Sequence, residues 1–175
     1  MMELGQFQVY TGDGKGKTTA ALGLALRASG AGLRVYIGQF MKLGGTSELI
    51  ALKRLENVRT EQFGSDLGLL IGREAGHADR QCAADGYSRV MDALTGGMYD
   101  VVIADEIHCA LSTGLLTEGQ LLALADARPK GVELIFTGRG ATPAIIDRAD
   151  LVTEMRAVRH YYAEKQLPAR TGIEM

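Results

Sequence analysis

The most constraining stretch of this sequence lies near its start, where residues 11–19 are TGDGKGKTT and follow directly on an apolar run at residues 7–10. A strand, a glycine-rich loop and a helix in this order are typical of a phosphate-binding loop, in which backbone N–H groups converge on phosphate oxygens. In such a loop Lys17 supplies positive charge and the hydroxyl of Thr18 reaches a Mg²⁺ ion. The helix that follows directs the positive end of its dipole at the same anion. The stretch therefore predicts a site for nucleotide phosphates.

The loop departs from the standard spacing G-x-x-x-x-G-K-[ST] at one position. Thr11 stands where the first glycine is expected, and the nearest glycine, Gly12, comes one residue later. Glycines then alternate with other residues up to Gly16, and a second lysine, Lys15, stands among them. The alternative without a ligand is an ordinary strand-to-helix turn, which the order of strand, glycines and lysine disfavours. We therefore expect a phosphate-binding loop of atypical form.

Composition indicates one globular domain. The 175 residues are 46% hydrophobic, enough for a sizeable core, and the net charge of −2 disfavours broad attraction to nucleic acid or membranes. Cys82 and Cys109 lack C-x-x-C spacing, so we expect buried free thiols in a reducing compartment. No leader segment and no apolar run of membrane-spanning length is apparent. We expect a cytoplasmic protein that binds neither nucleic acid nor membrane.

Strand-like and helix-like stretches alternate along the chain, which predicts an α/β fold. We expect a single P-loop NTPase-like (RecA-like) domain over residues 1–175, with a mostly parallel sheet and helices on both faces. The helix at 17–31 is apolar nearly all round, so we expect it to be buried. The predicted strands are 6–11, 34–40, 58–63, 101–104, 133–137 and 151–155, and the predicted helices are 17–31, 47–55, 79–94, 117–127 and 143–148.

Several polar segments directly follow predicted strands. They are the glycine loop, residues 39–42, residues 105–106 and residues 138–139. In a parallel sheet the ligand lies beyond the carboxyl ends of the strands, so these segments are expected to form one site.

Asp105 and Glu106 follow an apolar strand, where a phosphate-binding loop has its acidic partner for Mg²⁺. Acidic residues also favour helix starts, which is the alternative explanation. We expect the metal role, with Glu106 as the more direct ligand. Arg139, between two glycines, is placed to contact phosphate through its planar guanidinium, unless it is a solvated turn residue. Lys42, which also follows a predicted strand, is expected to contact phosphate by the same argument.

Two further stretches are expected to cover the site. Residues 64–77 hold a glycine at every fourth position through Gly76, which favours a mobile loop or lid. The tail from Arg156 to Arg170 is basic and aromatic. Nucleic-acid binding is one interpretation of the tail, but folding back over the site fits a net acidic chain better. Cys82 and Met91 are expected in the core, and the histidines form no zinc motif.

Taken together, these residues resemble the P-loop-type ATP:corrinoid adenosyltransferases. The short phosphate loop, atypical in a general nucleotidase, is similar to the form this family has. The matching segments run in the same order along nearly the whole chain: TGDGKGKTTAA at 11–21, QFMK at 39–42, VVIADEI at 101–107, ARP at 127–129, TGRG at 137–140, ADLVTEMR at 149–156 and TGIEM at 171–175.

The resemblance implies transfer of the 5′-deoxyadenosyl group of ATP to the Co(I) of a reduced corrinoid, with release of triphosphate. ATP is then a co-substrate that binds with Mg²⁺ in a reversed sense, and the corrinoid is cobalamin or a precursor of it. The resemblance implies a homodimer and, as the source of electrons, a reducing flavoprotein. Lys17 and Glu106 are implied in catalysis, and Thr18, Glu106 and Asp105 in holding the metal. The implied nucleotide contacts are Gly12, Asp13, Gly14, Lys15, Gly16, Lys17, Thr18, Thr19, Gln39, Lys42 and Arg139.

The chain departs from the family pattern in two ways. Some relatives place a phenylalanine and a tryptophan near the cobalt, whereas this sequence has no tryptophan and only Phe63 before the glycine-rich stretch. Many relatives also carry an N-terminal segment that helps to close the site, and here almost none precedes the first strand. Either corrinoid retention differs in this protein, or residues 64–77 do that work.

Two other classes of protein remain as alternatives. One is a P-loop nucleotide kinase, although a thymidine-kinase-like chain would normally add a cysteine-rich zinc segment. The other is a RecA-like ATPase, in which Glu106 would be hydrolytic and Arg139 would act across a subunit interface.

Overall fold

A computed structural model of the chain describes residues 4–66 and 74–174. The strands are β1 (Phe7–Thr11), β2 (Val35–Phe40), β3 (Val58–Phe63), β4 (Val101–Asp105), β5 (Glu133–Thr137) and β6 (Leu151–Glu154). The helices are α1 (Lys17–Gly30), α2 (Ser47–Leu52), α3 (His77–Thr95), α4 (Ile107–Ser112), α5 (Glu118–Ala127), α6 (Pro143–Arg148) and α7 (Tyr161–Lys165).

The strands form one six-stranded sheet in the order β3-β2-β4-β5-β1-β6, and every neighbouring pair is parallel. Every residue of β2 and of β4 is buried, because helices cover both faces of the sheet centre. The predicted α/β class with a parallel sheet is confirmed. Strand β5 lies between β1 and β4, so the end of β5 adjoins both the end of β1 and the end of β4.

Two apolar clusters cover the two faces of the sheet. On one face Ala21, Ala25 and Ala28 of α1 pack with Leu52 of α2 against β2, β4 and β5. On the other face α3, α4, α5 and α6 pack around Phe136. The hydrophobic core is therefore divided into two layers by the sheet.

The expectation that α1 is buried holds for only one side of the helix. Only Lys17 and three alanines of α1 are buried, and Leu26 is 60% exposed. Small residues at this spacing allow α1 to lie close to the sheet, while its larger side chains point outward or sideways.

Two short helices, α4 and α7, were not predicted as separate elements. Each has six residues or fewer, too few to display a helical period, and neither begins with a serine or proline as the equally short α2 and α6 do. The predicted lid at 64–77 includes residues 67–73, which lie outside the described residues. Within residues 4–66 and 74–174, no helix combines the length and apolar character that crossing a bilayer requires.

Candidate functional site

The phosphate-loop glycines are required by the chain that lies against them. The N–H of Gly14 donates to the carbonyl of Met155 at 2.6 Å, just beyond the end of β6. A Cβ atom on Gly12 or Gly14 would come within 2.5 or 2.6 Å of that same carbonyl oxygen. Gly12 and Gly16 also have positive φ angles of 94° and 118°. The alternating glycines therefore let the segment after β6 pack directly on the loop.

Lys17 begins α1 and is folded into the loop. Its side chain is nearly inaccessible, at 7% exposure. Its Nζ atom donates to the carbonyls of Gly12 and Gly14, each at 2.7 Å. Burial lowers the pKa of Lys17, and the nearby Glu106 carboxylate opposes that shift. The lysine is thus a buried cation held at the loop by carbonyl oxygens.

Asp105, at the end of β4, connects the start of α1 with the ends of β2 and β5. The carboxylate is fully buried at 0% exposure. Its Oδ1 atom accepts hydrogen bonds from the hydroxyls of Thr18 at 2.8 Å and Thr137 at 2.7 Å. Its Oδ2 atom accepts from Nε2 of Gln39 at 3.1 Å and from Nζ of Lys42 at 2.9 Å. Asp105 therefore fixes side chains from the start of α1 and from the ends of β2 and β5.

The charge of Lys42 is stabilised by this carboxylate. Burial by itself lowers the pKa of Lys42, but the ion pair with Asp105 outweighs burial, so the net shift is upward. The ammonium group therefore remains protonated at the wall of the site.

Glu106 occupies a sterically demanding backbone position directly after β4. Its φ angle is 61°, in the left-handed region that non-glycine residues seldom adopt. Its N–H donates to the hydroxyl of Thr137 at 2.9 Å, and its Oε2 atom accepts from the thiol of Cys109 at 2.8 Å. These contacts hold the carboxylate beside the phosphate loop.

The C-terminal segment contacts the loop through Lys15. Nζ of Lys15 donates to the carbonyl of Ile173 at 2.8 Å and lies 3.7 Å from the Glu174 carboxylate. Glu174 also accepts hydrogen bonds from the Tyr161 hydroxyl and the Arg170 guanidinium, which lowers its pKa. The guanidinium carbon of Arg170 lies 5.0 Å from the centre of the Tyr161 ring.

These elements surround a cavity of about 660 Å³, within the range of small-molecule sites. Of the site residues predicted from the sequence, the cavity wall contains Gly14, Lys15, Gly16, Lys17, Thr18, Thr19, Lys42, Glu106 and Arg139. Four others lie outside the wall: Gly12 and Asp13 in the loop, and Gln39 and Asp105 behind it.

Sequence reasoning missed part of the wall. It did not assign Leu22 or the start of α2, including Ser47, and it named no residue of the tail as a site residue. The tail supplies His160, Tyr161 and residues 172–174 to the wall. The basic and aromatic character of the tail was the available signal, but it could not identify individual residues.

The expectation of buried thiols needs correction. Cys82 on α3 and Cys109 on α4 are both free but only half-buried. Met91 is partly buried and packs against the core cluster. Burial raises the pKa of Cys109 to about 12, with the Glu106 carboxylate adding to the effect. Cys109 is therefore a neutral thiol at the site.

His108 is completely buried behind the site, with its ring 5.9 Å from that of Phe136. Among the described residues neither of its ring nitrogens has a hydrogen-bond partner. Burial lowers the pKa of His108 from 6.5 to about 4. The folded protein therefore holds this imidazole neutral at pH values where the unfolded chain already protonates it.

We expect this histidine to make the protein sensitive to acid. Between pH 6.5 and about 4 the unfolded chain takes up the proton first, so stability falls as the pH falls. Protonation of His108 lowers the free energy of unfolding by about 3 kcal/mol in total across this range. Urea unfolding of the wild type and of His108→Leu at several pH values measures it. As the pH falls through this range, the wild type should lose unfolding free energy relative to His108→Leu, which has no group to protonate. A difference between the two proteins that does not change with pH would contradict the assignment.

A family model and several known relatives name the same family. The sequence model of a family described as ATP:corrinoid adenosyltransferase BtuR/CobO/CobP matches residues 3–175. A corrinoid adenosyltransferase of Pseudomonas aeruginosa is 33% identical over 98% of this chain and 84% of its own length. The corrinoid adenosyltransferase CobA of Salmonella typhimurium is 33% identical over 98% of this chain and 86% of its own length. Protein all2391 of Nostoc is 36% identical over 98% of this chain, and this chain spans about half (48%) of that protein.

Proposed function

This chain belongs to the ATP:corrinoid adenosyltransferase family, and on that premise we propose that it transfers the 5′-deoxyadenosyl group of ATP to a reduced corrinoid. The Co(I) centre of the corrinoid substrate attacks the 5′ carbon of the ribose. A cobalt–carbon bond forms, the carbon–oxygen bond to the triphosphate breaks, and its electron pair leaves with the triphosphate. Cobalt supplies the nucleophile, so the protein's part is to align the two substrates and stabilise the departing charge.

One observation carries the proposal: the cations of Lys17, Lys42 and Arg139 line a single cavity large enough for a nucleotide. Lys17 is already buried in the loop, so a triphosphate that binds there meets a preorganised charge in a site of low dielectric constant. In the bound state Lys17 would exchange its loop carbonyl partners for phosphate oxygens. Lys42 and Arg139 would neutralise the charge that accumulates as the triphosphate leaves.

The donor set also fits a Mg²⁺ ion bound with the triphosphate. The Thr18 hydroxyl donates its proton to Asp105, which leaves its oxygen lone pairs for a cation. Glu106 adds a carboxylate oxygen at the cavity wall, and oxygen atoms are the ligands that Mg²⁺ prefers. We propose that Thr18 and Glu106 hold the ion. Asp105, whose oxygens are both engaged by protein donors, acts by orienting Thr18. The ion would neutralise part of the triphosphate charge.

An anaerobic assay with ATP, Mg²⁺ and chemically reduced cobalamin tests the reaction. We expect the absorbance spectrum of adenosylcobalamin to appear, together with equimolar triphosphate by ion-exchange chromatography. Accumulation of ADP without adenosylcobalamin would favour the kinase or ATPase alternative, which family membership disfavours. Cobinamide and cobyrinic acid diamide are assayed in parallel to identify the preferred corrinoid.

Three wider properties are proposed on family grounds alone. The protein would act as a homodimer, work in the cytoplasm and obtain Co(I) corrinoid through a reducing flavoprotein. Light scattering measures the oligomer, and replacement of the chemical reductant by a flavoprotein system tests the electron source.

We also propose that residues 1–175 act as one nucleotide-binding domain whose C-terminal tail closes over the site. The support is the contact of Lys15 with Ile173 and Glu174, which joins the phosphate loop to the tail. Tyr161 and Arg170 hold Glu174 in place from the other side. The tail would thereby exclude water from the triphosphate.

We expect Lys15→Ala to loosen the tail. Loss of one such hydrogen bond, worth about 1 kcal/mol, should speed chymotrypsin cleavage in the tail about fivefold and raise the KM for ATP by a similar factor. Mass spectrometry of the fragments identifies cleavage after Tyr161 or Tyr162. Lys53→Ala, an exposed lysine at the end of α2, is the matched control. Equal cleavage rates in the two variants would contradict the tail contact.

A further inference from the structure

Cys109 contacts two residues of the site without lining the cavity itself. The residue lies on α4, three positions after Glu106. Its Sγ atom donates to Oε2 of Glu106 at 2.8 Å and accepts the backbone N–H of Arg139 at 3.5 Å. A single half-buried thiol thus joins the end of β4 to the end of β5.

The backbone around this thiol is tightly packed. Gly138 has a φ angle of 130°, and a Cβ atom there would lie 3.0 Å from the backbone nitrogen of Cys109 and from Cβ of His108. Because Gly138 has no side chain, the loop that carries Arg139 can approach α4 closely enough for the backbone N–H of Arg139 to reach the sulfur. The position of Arg139 is therefore coupled to that of α4.

The orientation of the Glu106 side chain depends on its hydrogen bond from the same thiol. Its backbone is anchored by the hydrogen bond to Thr137, but its carboxylate lies at the end of a flexible side chain. The thiol of Cys109 selects one orientation of that carboxylate, as partners of metal ligands commonly do.

We propose that Cys109 is a positioning residue, which sets the Glu106 carboxylate and the Arg139 loop in the geometry that receives the metal-bound triphosphate. The inference rests on the proposed function, because it assigns Glu106 and Arg139 to nucleotide and metal. Cys109 touches no substrate and acts through these two residues.

Substitutions of Cys109 separate positioning from packing. Cys109→Ser keeps a donor and an acceptor, whereas Cys109→Ala removes both. Cys109→Val removes both while it fills the volume, and it replaces the alanine variant if that variant does not fold. Cys82→Ala is the matched control, because Cys82 is the other half-buried free thiol of the chain and lies on α3. Isothermal titration calorimetry with ATP, in Mg²⁺ or in EDTA, measures binding without turnover.

We expect Cys109→Ala or Cys109→Val to weaken binding of ATP in Mg²⁺ about tenfold, the range for residues that orient metal ligands. Binding in EDTA should weaken less, about threefold, because the contribution of the Arg139 loop persists without metal while that of Glu106 is lost. Cys109→Ser and Cys82→Ala should stay within about threefold of the wild type in Mg²⁺.

Two results would overturn the inference, and they are distinguishable. If Glu106→Gln weakens binding in Mg²⁺ while Cys109→Ala and Cys109→Val do not, Cys109 does not position Glu106. If neither Glu106→Gln nor Arg139→Ala alters binding or turnover, the site assignment of the proposed function fails, and the role of Cys109 fails with it.

Discussion

The Lys17→Ala variant is expected to lose adenosyl transfer by a factor of about 10²–10³ while it keeps its fold, because it lacks one preorganised charge on the departing triphosphate. Lys17 is buried in the loop and donates to the carbonyls of Gly12 and Gly14. Burial lowers the pKa of Lys17 in the folded protein, because the charged ammonium group loses contact with water. This loss is offset when phosphate oxygens replace the carbonyls. The anaerobic cobalamin assay measures the loss in kcat/KM.

The loop contains its own matched control for this substitution. Lys15 lies two residues earlier, is exposed, and contacts the tail. Lys15→Ala should change the KM several-fold, far less than Lys17→Ala, although the same group is removed. Circular dichroism should be unchanged in both variants. Near-normal turnover by a folded Lys17→Ala protein would show that the triphosphate does not bind at this loop.

The Asp105→Ala variant is expected to lower the free energy of unfolding by about 3–5 kcal/mol, the range found when one partner of a buried ion pair is removed. The substitution leaves the Lys42 ammonium without its anion and removes the acceptor of Thr18, Thr137 and Gln39. Unpaired buried donors are costly because water cannot reach them. Urea denaturation followed by circular dichroism measures the change.

Asp100 provides the comparison for this second variant. Asp100 directly precedes β4, whereas Asp105 is the last residue of that strand. Asp100 is also buried and forms an ion pair with Arg34. Asp100→Ala should destabilise the protein but leave ATP binding by the folded fraction intact, because Asp100 lies at the opposite end of the strand from the loop. Asp105→Asn, which preserves shape, should fold and still bind ATP weakly. Normal ATP affinity in Asp105→Asn would show that Asp105 does not organise the site.

Local sequence pattern was enough to predict most of the architecture. Continuous apolar runs such as residues 101–104 indicated strands covered on both faces, and their alternation with helical stretches predicted a parallel sheet. Once the sheet is parallel, the carboxyl ends of its strands share one edge. The proximity of Lys17, Lys42, Glu106 and Arg139 then follows, and the cavity contains all of them.

Errors arose where the outcome depended on packing. The sequence of α1 is apolar nearly all round, yet Leu26 is exposed, because only one side of the helix meets the sheet. The short helices α4 and α7 have too few residues to display a period, and Glu106 begins α4 from a left-handed conformation that local propensity disfavours.

The sequence by itself determined the fold class, the phosphate loop and the edge of the sheet where the site lies, since each depends on residues close together in the chain. Only the tertiary structure decided which side chains contact one another there. Gly14 meets Met155, Thr18 meets Asp105, and Lys15 meets Ile173, in each case across a long stretch of chain. Such pairs are set by how strands and tail pack, and no local periodicity encodes them.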